Sequence, residues 1–147
     1  MKAFAIRNHF HAQIEDLDPK QTVDQIIVGD PEKEIRRIVV TWMPSFEALR
    51  KAVDRGYDMM ITHEPTFWDH IHDRENAAKS DLGRAKHEFI EMSGLVVLRI
   101  HDVWDRMPRI GIPWARTQFL ELGAEPATMT NGNMLHRYDI EPVRFSG

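Results

Sequence analysis

Cysteine is absent from the 147 residues. That excludes disulfide frameworks, thiolate metal sites and cysteine nucleophiles, so any metal has to be held by nitrogen and oxygen. Long apolar runs are missing too: the longest are strand-sized, and the stretch from Met1 to Ile6 has no extended apolar region. Neither a membrane-spanning helix nor a signal peptide is expected, and the reading is a cytoplasmic protein with no membrane partner. An excess of basic residues is lacking as well. Nineteen Lys and Arg stand against 23 Asp and Glu, a net charge of −4, which provides no global field for nucleic-acid phosphates and favours a small-molecule partner over nucleic acid. Glycine-rich phosphate loops of Rossmann or P-loop spacing do not occur, and neither does a Gly-x-Ser-x-Gly elbow, so those nucleotide folds and the serine hydrolases drop out.

What is present is a chain with 42% hydrophobic and 29% charged residues, enough for one compact domain over residues 1–147. Phe4, Ile6, Phe10, Ile14 and Leu17 recur at helical spacing, which predicts a helix over Ala3 to Leu17, ending before Asp18-Pro19. Val23 to Val28 reads as a strand or extended segment closed by Gly29-Asp30-Pro31, and Ile38-Val39-Val40 as a strand buried on both faces. Ser45 is placed to cap a helix in which Phe46, Leu49 and Val53 share a face and Gly56 stops the winding. A strand at Met59-Met60-Ile61 follows. The pattern then repeats: Leu82, Ala85, Phe89 and Met92 form a helical stripe, Gly94 ends it, and Leu95 to Ile100 is another buried strand. A helix from Pro113, with Phe119 and Leu122 inward and Gly123 at its end, and a strand over Leu135 to Ile140 complete the reading. Alternating strands and helices imply right-handed crossovers: an α/β fold with a mainly parallel sheet and helices on both faces.

The two repeats end alike. His63-Glu64 follows one strand, and His101-Asp102 with Asp105 follows the next. In a parallel sheet both strand ends emerge at the same carboxyl edge, where ligands bind in open α/β sheets. Neutral imidazoles beside carboxylates form a donor set for a divalent cation. A single histidine at a strand end more often caps it or bonds a backbone carbonyl; two matching ends with acidic neighbours are what raise the metal reading. His70-Ile71-His72-Asp73 lies on a loop able to fold over this edge. His9 and His11 are read as solvated or packing residues, His87 as a surface residue, and His136 as lacking an acidic partner. Phe67, Trp68 and Trp104 are read as core or pocket lining.

Three segments carry a family resemblance: Val28-Gly29-Asp30, the run from Tyr57 to Phe67 containing Thr62-His63-Glu64-Pro65, and Arg99-Ile100-His101-Asp102-Val103-Trp104-Asp105. In that order they resemble the Nif-three-like dinuclear metal-centre family, some of whose members carry the label GTP cyclohydrolase I type 2. The family pattern has a strand ending in Thr-His-His-Pro and then an aromatic, followed by a later His-x-x-x-Asp. By this resemblance His63 matches the first histidine, Asp105 the bridging aspartate, and Glu64 stands where a second histidine is usual. The resemblance covers the family's N-terminal half, about residues 20 to 145. The family's second α/β half, which adds a histidine and a glutamate to the centre, lies beyond this sequence. It implies divalent ions as cofactors (zinc, manganese, iron or magnesium), a homo-oligomer, and either a hydrolase using a metal-activated water or a non-catalytic metal-binding or interaction scaffold. His63, Glu64, His101 and Asp105 are the expected ligands, with His101 ligand or orienter and Glu64 ligand or general base.

Overall fold

The computed structural model describes residues 1–123, 125–130 and 132–142. Six helices occur among them: α1 (Ala3–His11), α2 (Phe46–Asp54), α3 (Asp73–Asn76), α4 (Asp81–Ser93), α5 (Asp102–Arg106) and α6 (Ile112–Phe119). The strands are β1 (Ile26–Val28), β2 (Ile38–Thr41), β3 (Met59–Thr62), β4 (Val96–Arg99), β5 (Thr128–Thr130) and β6 (Leu135–Arg137). Two compact units divide the chain, Met1–Val103 and Trp104–Gly147. None of the helices among the described residues is long and apolar enough to cross a membrane.

The first unit is α/β and holds a four-stranded sheet in the order β1-β4-β3-β2. β2, β3 and β4 run parallel, with Ile38, Met59 and Val96 in line at one end and Thr41, Thr62 and Arg99 at the other. β1 joins antiparallel to β4, pairing Ile26 with Leu98 and Val28 with Val97. The mainly parallel α/β arrangement expected from the alternating pattern is therefore the one observed. Gly29 permits the close approach at the end of β1: at φ +101° it lies where a Cβ would come 2.9 Å from the Val96 Cα.

Leu49 and Ala52 of α2 and Ile90 of α4 pack on Ile27, Val28, Met60 and Val97 to form the core of one sheet face. Ser45 accepts from the Ala48 amide at 3.1 Å, which starts α2 as the sequence indicates, and Gly56 stands at φ +69° after its end. Met59, Ile61, Val96 and Leu98 point to the other face and are also buried.

Several expectations are corrected. The opening helix stops at His11 rather than Leu17, where the Ala12 amide closes back onto Asn8 and the chain turns. β2 is an edge strand and is not buried on both faces: Val40 is 73% and Ile38 40% exposed, because nothing among the described residues covers that side of the sheet's edge. Of the expected α4 stripe, Phe89 packs against the core cluster, but Leu82, Ala85 and Met92 do not turn inward. Leu82 and Met92 are exposed, whereas Gly83 and Ile90 are buried, since Gly83 packs so tightly on the Ala77 carbonyl that a Cβ would meet it at 2.6 Å. A bulkier inward side chain there would push the helix off, so the glycine selects the face. The short helices α3 and α5 are not signalled by periodicity, being about one turn each.

In the second unit α6 begins with Pro113 in its first turn, as expected, but Phe119 is 87% exposed rather than inward. β5 and β6 form an antiparallel pair, with Met129 opposite His136. The predicted last strand is thus shorter, Leu135–Arg137, and has a partner that the sequence does not announce.

Candidate metal centre

Because β3 and β4 are neighbours in parallel register, with Thr62 opposite Arg99, the residues that follow them leave the sheet at one edge. The Ile100 amide still donates to the Thr62 carbonyl at 2.9 Å, carrying the pairing one step past the strands. His63 and His101 meet there with ring centroids 4.2 Å apart. One ligand atom from each of His63, Glu64 and His101 fits within a set whose members all lie within 4.8 Å of one another. Side-chain exposures of 9%, 23% and 17% leave the group sheltered but reachable. Two imidazoles and a carboxylate are the donor chemistry of a borderline divalent ion, and three protein donors leave room for an exogenous ligand. The residues present therefore fit such an ion.

Each member is held from behind. Trp42, just past the end of β2, stacks on the His63 ring at 4.1 Å and 12°, and its carbonyl accepts the amides of His63 and Glu64 at 3.2 and 2.9 Å. His63 Nδ1 lies 3.3 Å from Glu64 Oε1, and His101 Nδ1 lies 3.3 Å from Asp102 Oδ1. An imidazole whose Nδ1 is engaged by a carboxylate is oriented, which is the usual support of a metal-binding histidine. Burial opposes the charge of Asp102, but hydrogen bonds from His101, the Thr22 hydroxyl and the Val23 amide outweigh it and hold the carboxyl down at about 2.

Asp24 locks the segment that carries His101. Its side chain is fully buried, and it accepts the amides of His101, Asp102 and Val103 at 2.6, 3.0 and 2.8 Å. Asp102 returns the contact by accepting from Thr22 and Val23, so the two acids clasp one loop to the other. Burial pushes the Asp24 carboxyl above its ordinary value despite those amides. The His11 ring donates through Nε2 to the Asp24 carbonyl at 2.8 Å, so this histidine, read as solvated or packing, ties α1 to the clasp.

Arg99, the only charged residue in the apolar run from Leu95 to Ile100, is fully buried. Its guanidinium donates to the carbonyls of His63 at 3.2 Å and His70 at 2.9 Å and to His70 Nδ1 at 2.5 Å. Since arginine only donates, Nδ1 of His70 accepts and its ring proton sits on Nε2, which faces Glu64 Oε2 at 3.6 Å. Burial, followed by the charge of Arg99, draws His70 below the ordinary histidine range, so the ring is neutral near pH 7. The loop thus does fold toward the site through His70, whereas His72 pairs with Asp69 and Asp73 turns inward to accept the Thr66 and Phe67 amides. Arg99, Asp24 and Trp42 are the supporting residues that sequence reasoning missed. A lone arginine inside a buried strand was the one signal available.

Of the remaining expected residues, Asp105 belongs to the second unit, where it helps to line a cavity of about 420 Å3 with Pro113, Arg116 and Tyr138. His87 rests near the Phe67 ring, and His136 lies against Trp114 and Tyr138. Phe67 is buried, whereas Trp68 is 86% exposed.

Comparison with solved structures places the fold. Reduced HcgD from Methanocaldococcus jannaschii is similar at a TM-score of 0.64 and 21% identity, over 90% of this chain and 52% of its own. The Staphylococcus aureus protein SA1388 is similar at 0.65 and 14% identity, over 83% of this chain and 34% of its own. The protein ybgI, of unknown function, is similar at 0.59 and 21% identity, covering 82% and 47%. The chain therefore spans about half, or less, of the length of these relatives. No curated protein matches. The family model described as Duf34/NIF3 (NGG1p interacting factor 3) matches residues 12–142, and the chain belongs to that family.

Proposed function

We propose that His63, Glu64 and His101 bind a divalent cation and that the protein is a metal-dependent hydrolase of a small molecule. The carrying observation is the convergence of two imidazoles and a carboxylate within 4.8 Å at the carboxyl edge of a parallel sheet. A bound divalent ion would supply Lewis acidity and lower the pKa of a coordinated water. The chain's own residues do the rest. His63 is clamped between Trp42 and His101, so its ring is preorganised rather than ordered on binding. Asp102 orients His101 through Nδ1. Glu64 serves as ligand or as general base, its carboxylate lying between His63 and His70. His70 presents an Nε2 proton toward the same carboxylate and is placed to hold a polar substrate atom. Asp105 is assigned by the family pattern as a further ligand, and a homo-oligomer is the proposed assembly.

The position of Glu64 also supports a second reading, a metal-binding scaffold without turnover. One oxygen is within hydrogen-bond reach of His63 Nδ1 at 3.3 Å and the other lies 3.6 Å from His70 Nε2, a placement that suits orienting the two rings as well as taking a water proton. Elemental analysis of the purified protein combined with phosphatase and phosphodiesterase assays separates the two. The hydrolase reading expects bound metal plus metal-dependent turnover that Glu64→Gln reduces about 100-fold. Metal without turnover on any substrate supports the scaffold. His63→Ala is expected to lose most of the bound metal, and unchanged metal content in that variant sinks both readings.

A further inference from the structure

Beside the metal centre lies a cavity of about 590 Å3, a size that suits a small organic ligand, and Glu64 and His70 form part of its wall. Met43, Pro65 and Trp68 give it apolar surface, and Lys86 of α4 also lines it. The Trp68 indole is 86% exposed and stands on a backbone with φ 76°, followed by Asp69 at φ 75°. Two consecutive side-chain-bearing residues in the left-handed region are costly, and such strain concentrates at binding loops.

Lys86 is the unusual group. Burial lowers its pKa, and its ammonium donates one hydrogen bond, to the Thr66 carbonyl at 2.6 Å. Asp73, the carboxylate whose charge acts on it, spends its oxygens on the amides of Thr66 and Phe67 and makes no ion pair with it. The other contact of Lys86 is the Phe67 ring, whose centroid lies 5.8 Å from Nζ, so among the described residues the half-buried ammonium keeps hydrogens to spare and has no carboxylate bonded to it. The other charged residues of the wall do not compete for it. Asp69 is occupied by the amides of Ile71 and His72 and by the His72 ring, and Glu64 faces the two histidines. Among the described residues no arginine lines this cavity, so they offer one cation rather than the several that a polyphosphate would need.

We propose that this cavity binds a planar small molecule carrying one anionic group, a carboxylate or a phosphate monoester, which pairs with Lys86 while the ring lies along Trp68. This names the substrate class of the metal centre and rests on that reading only for the orientation of the ligand's other end toward Glu64 and His70. The ammonium selects for the anion, and the indole and Met43 remove the ring from water.

The test is titration of the full chain, stripped of metal with a chelator and separately loaded with zinc, with phenyl phosphate, benzoate and neutral benzyl alcohol, followed by calorimetry or ligand-observed NMR. One of the anions is expected to bind the metal-free protein at least about tenfold more tightly than benzyl alcohol. The better of the two identifies the anionic group. Lys86→Gln is expected to weaken that binding about tenfold while leaving benzyl alcohol unchanged, and Lys86→Arg to restore it. Trp68→Ala should weaken all three. Equal anion affinity in wild type and Lys86→Gln overturns the proposal, as does the absence of binding, or anion binding that needs zinc and vanishes in His63→Ala. Lys86-dependent binding in a protein that takes up no zinc upholds this site and overturns the metal centre.

Discussion

Asp24 illustrates how one side chain governs a site it does not enter. Its carboxylate takes three consecutive backbone amides, and these belong to His101 and the two residues that open α5. Removing it leaves three donors in a dry environment, each costing about 1–3 kcal/mol if unsatisfied. Asp24→Ala is therefore expected to lose about 3 kcal/mol in chemical denaturation. Asp24→Asn keeps an acceptor and the shape but loses the charge, so it should fold while binding metal about tenfold more weakly, as is typical when a ligand's supporting shell is disturbed. Wild-type metal affinity in Asp24→Asn, measured by competition with a chromogenic chelator, would show the clasp to be dispensable for His101. Arg99 works by the same logic from the last position of β4. Its three hydrogen bonds place the His63 carbonyl and the whole of His70, and they fix which nitrogen of that ring carries the proton.

At the scale of elements, the parallel trio β2-β3-β4 sets the site, and Asp58 sets the start of the trio. One oxygen of Asp58 accepts the amides of both Arg36 and Arg37 at 2.9 Å, joining the entry of β2 to that of β3. Those amides, ahead of the charge of Lys33, hold its carboxyl below the ordinary value of 3.8. A depressed carboxyl stabilises the fold above its unfolded pKa, and that stability is lost as pH falls through the folded value. The loss should therefore begin near pH 4 and continue below it. Urea titrations from pH 7 to pH 3 are expected to show a shallower decline for Asp58→Asn than for wild type, with the variant about 1 kcal/mol less stable at pH 7. Parallel curves for the two proteins would contradict this account. The edge position of β2 explains why its pattern misled. Ile38-Val39-Val40 is β-branched throughout, as an internal strand would be, yet only Val39 packs against the core cluster. Periodicity reports which residues prefer a sheet and not how many neighbours the strand will have. The face of α4 was lost for a related reason: a glycine scores as a poor core residue, but here its missing side chain is what lets the helix dock.

For the whole molecule, the exposed apolar residues at and just beyond β2 stand out. Ile38, Val40, Trp42 and Met43 are between 40% and 73% exposed along an edge strand, a combination that isolated proteins usually avoid. The proposed homo-oligomer would cover it. Val40→Lys is expected to change stability by less than about 0.5 kcal/mol, since the site is exposed, and to lower the mass seen in sedimentation equilibrium or light scattering. An unchanged oligomer in that variant would move the interface elsewhere.

The residues alone determined the class of fold and the candidate donors. Alternating helical and β-branched segments imply a parallel sheet, and equal strand polarity then brings His63 and His101 to one edge. The absence of cysteine had already restricted the donors to nitrogen and oxygen. Only the tertiary structure decided which strand was the edge, which face of α4 turned inward, and which groups hold the histidines in place. Most of those outcomes depend on contacts between residues far apart in the chain, Asp24 with the amides of residues 101–103 and Arg99 with His70, while the face of α4 depends on Gly83 meeting the turn just before it. Local periodicity carries no record of such pairings, because the free energy that selects them exists only once the sheet has brought the partners within a few ångströms.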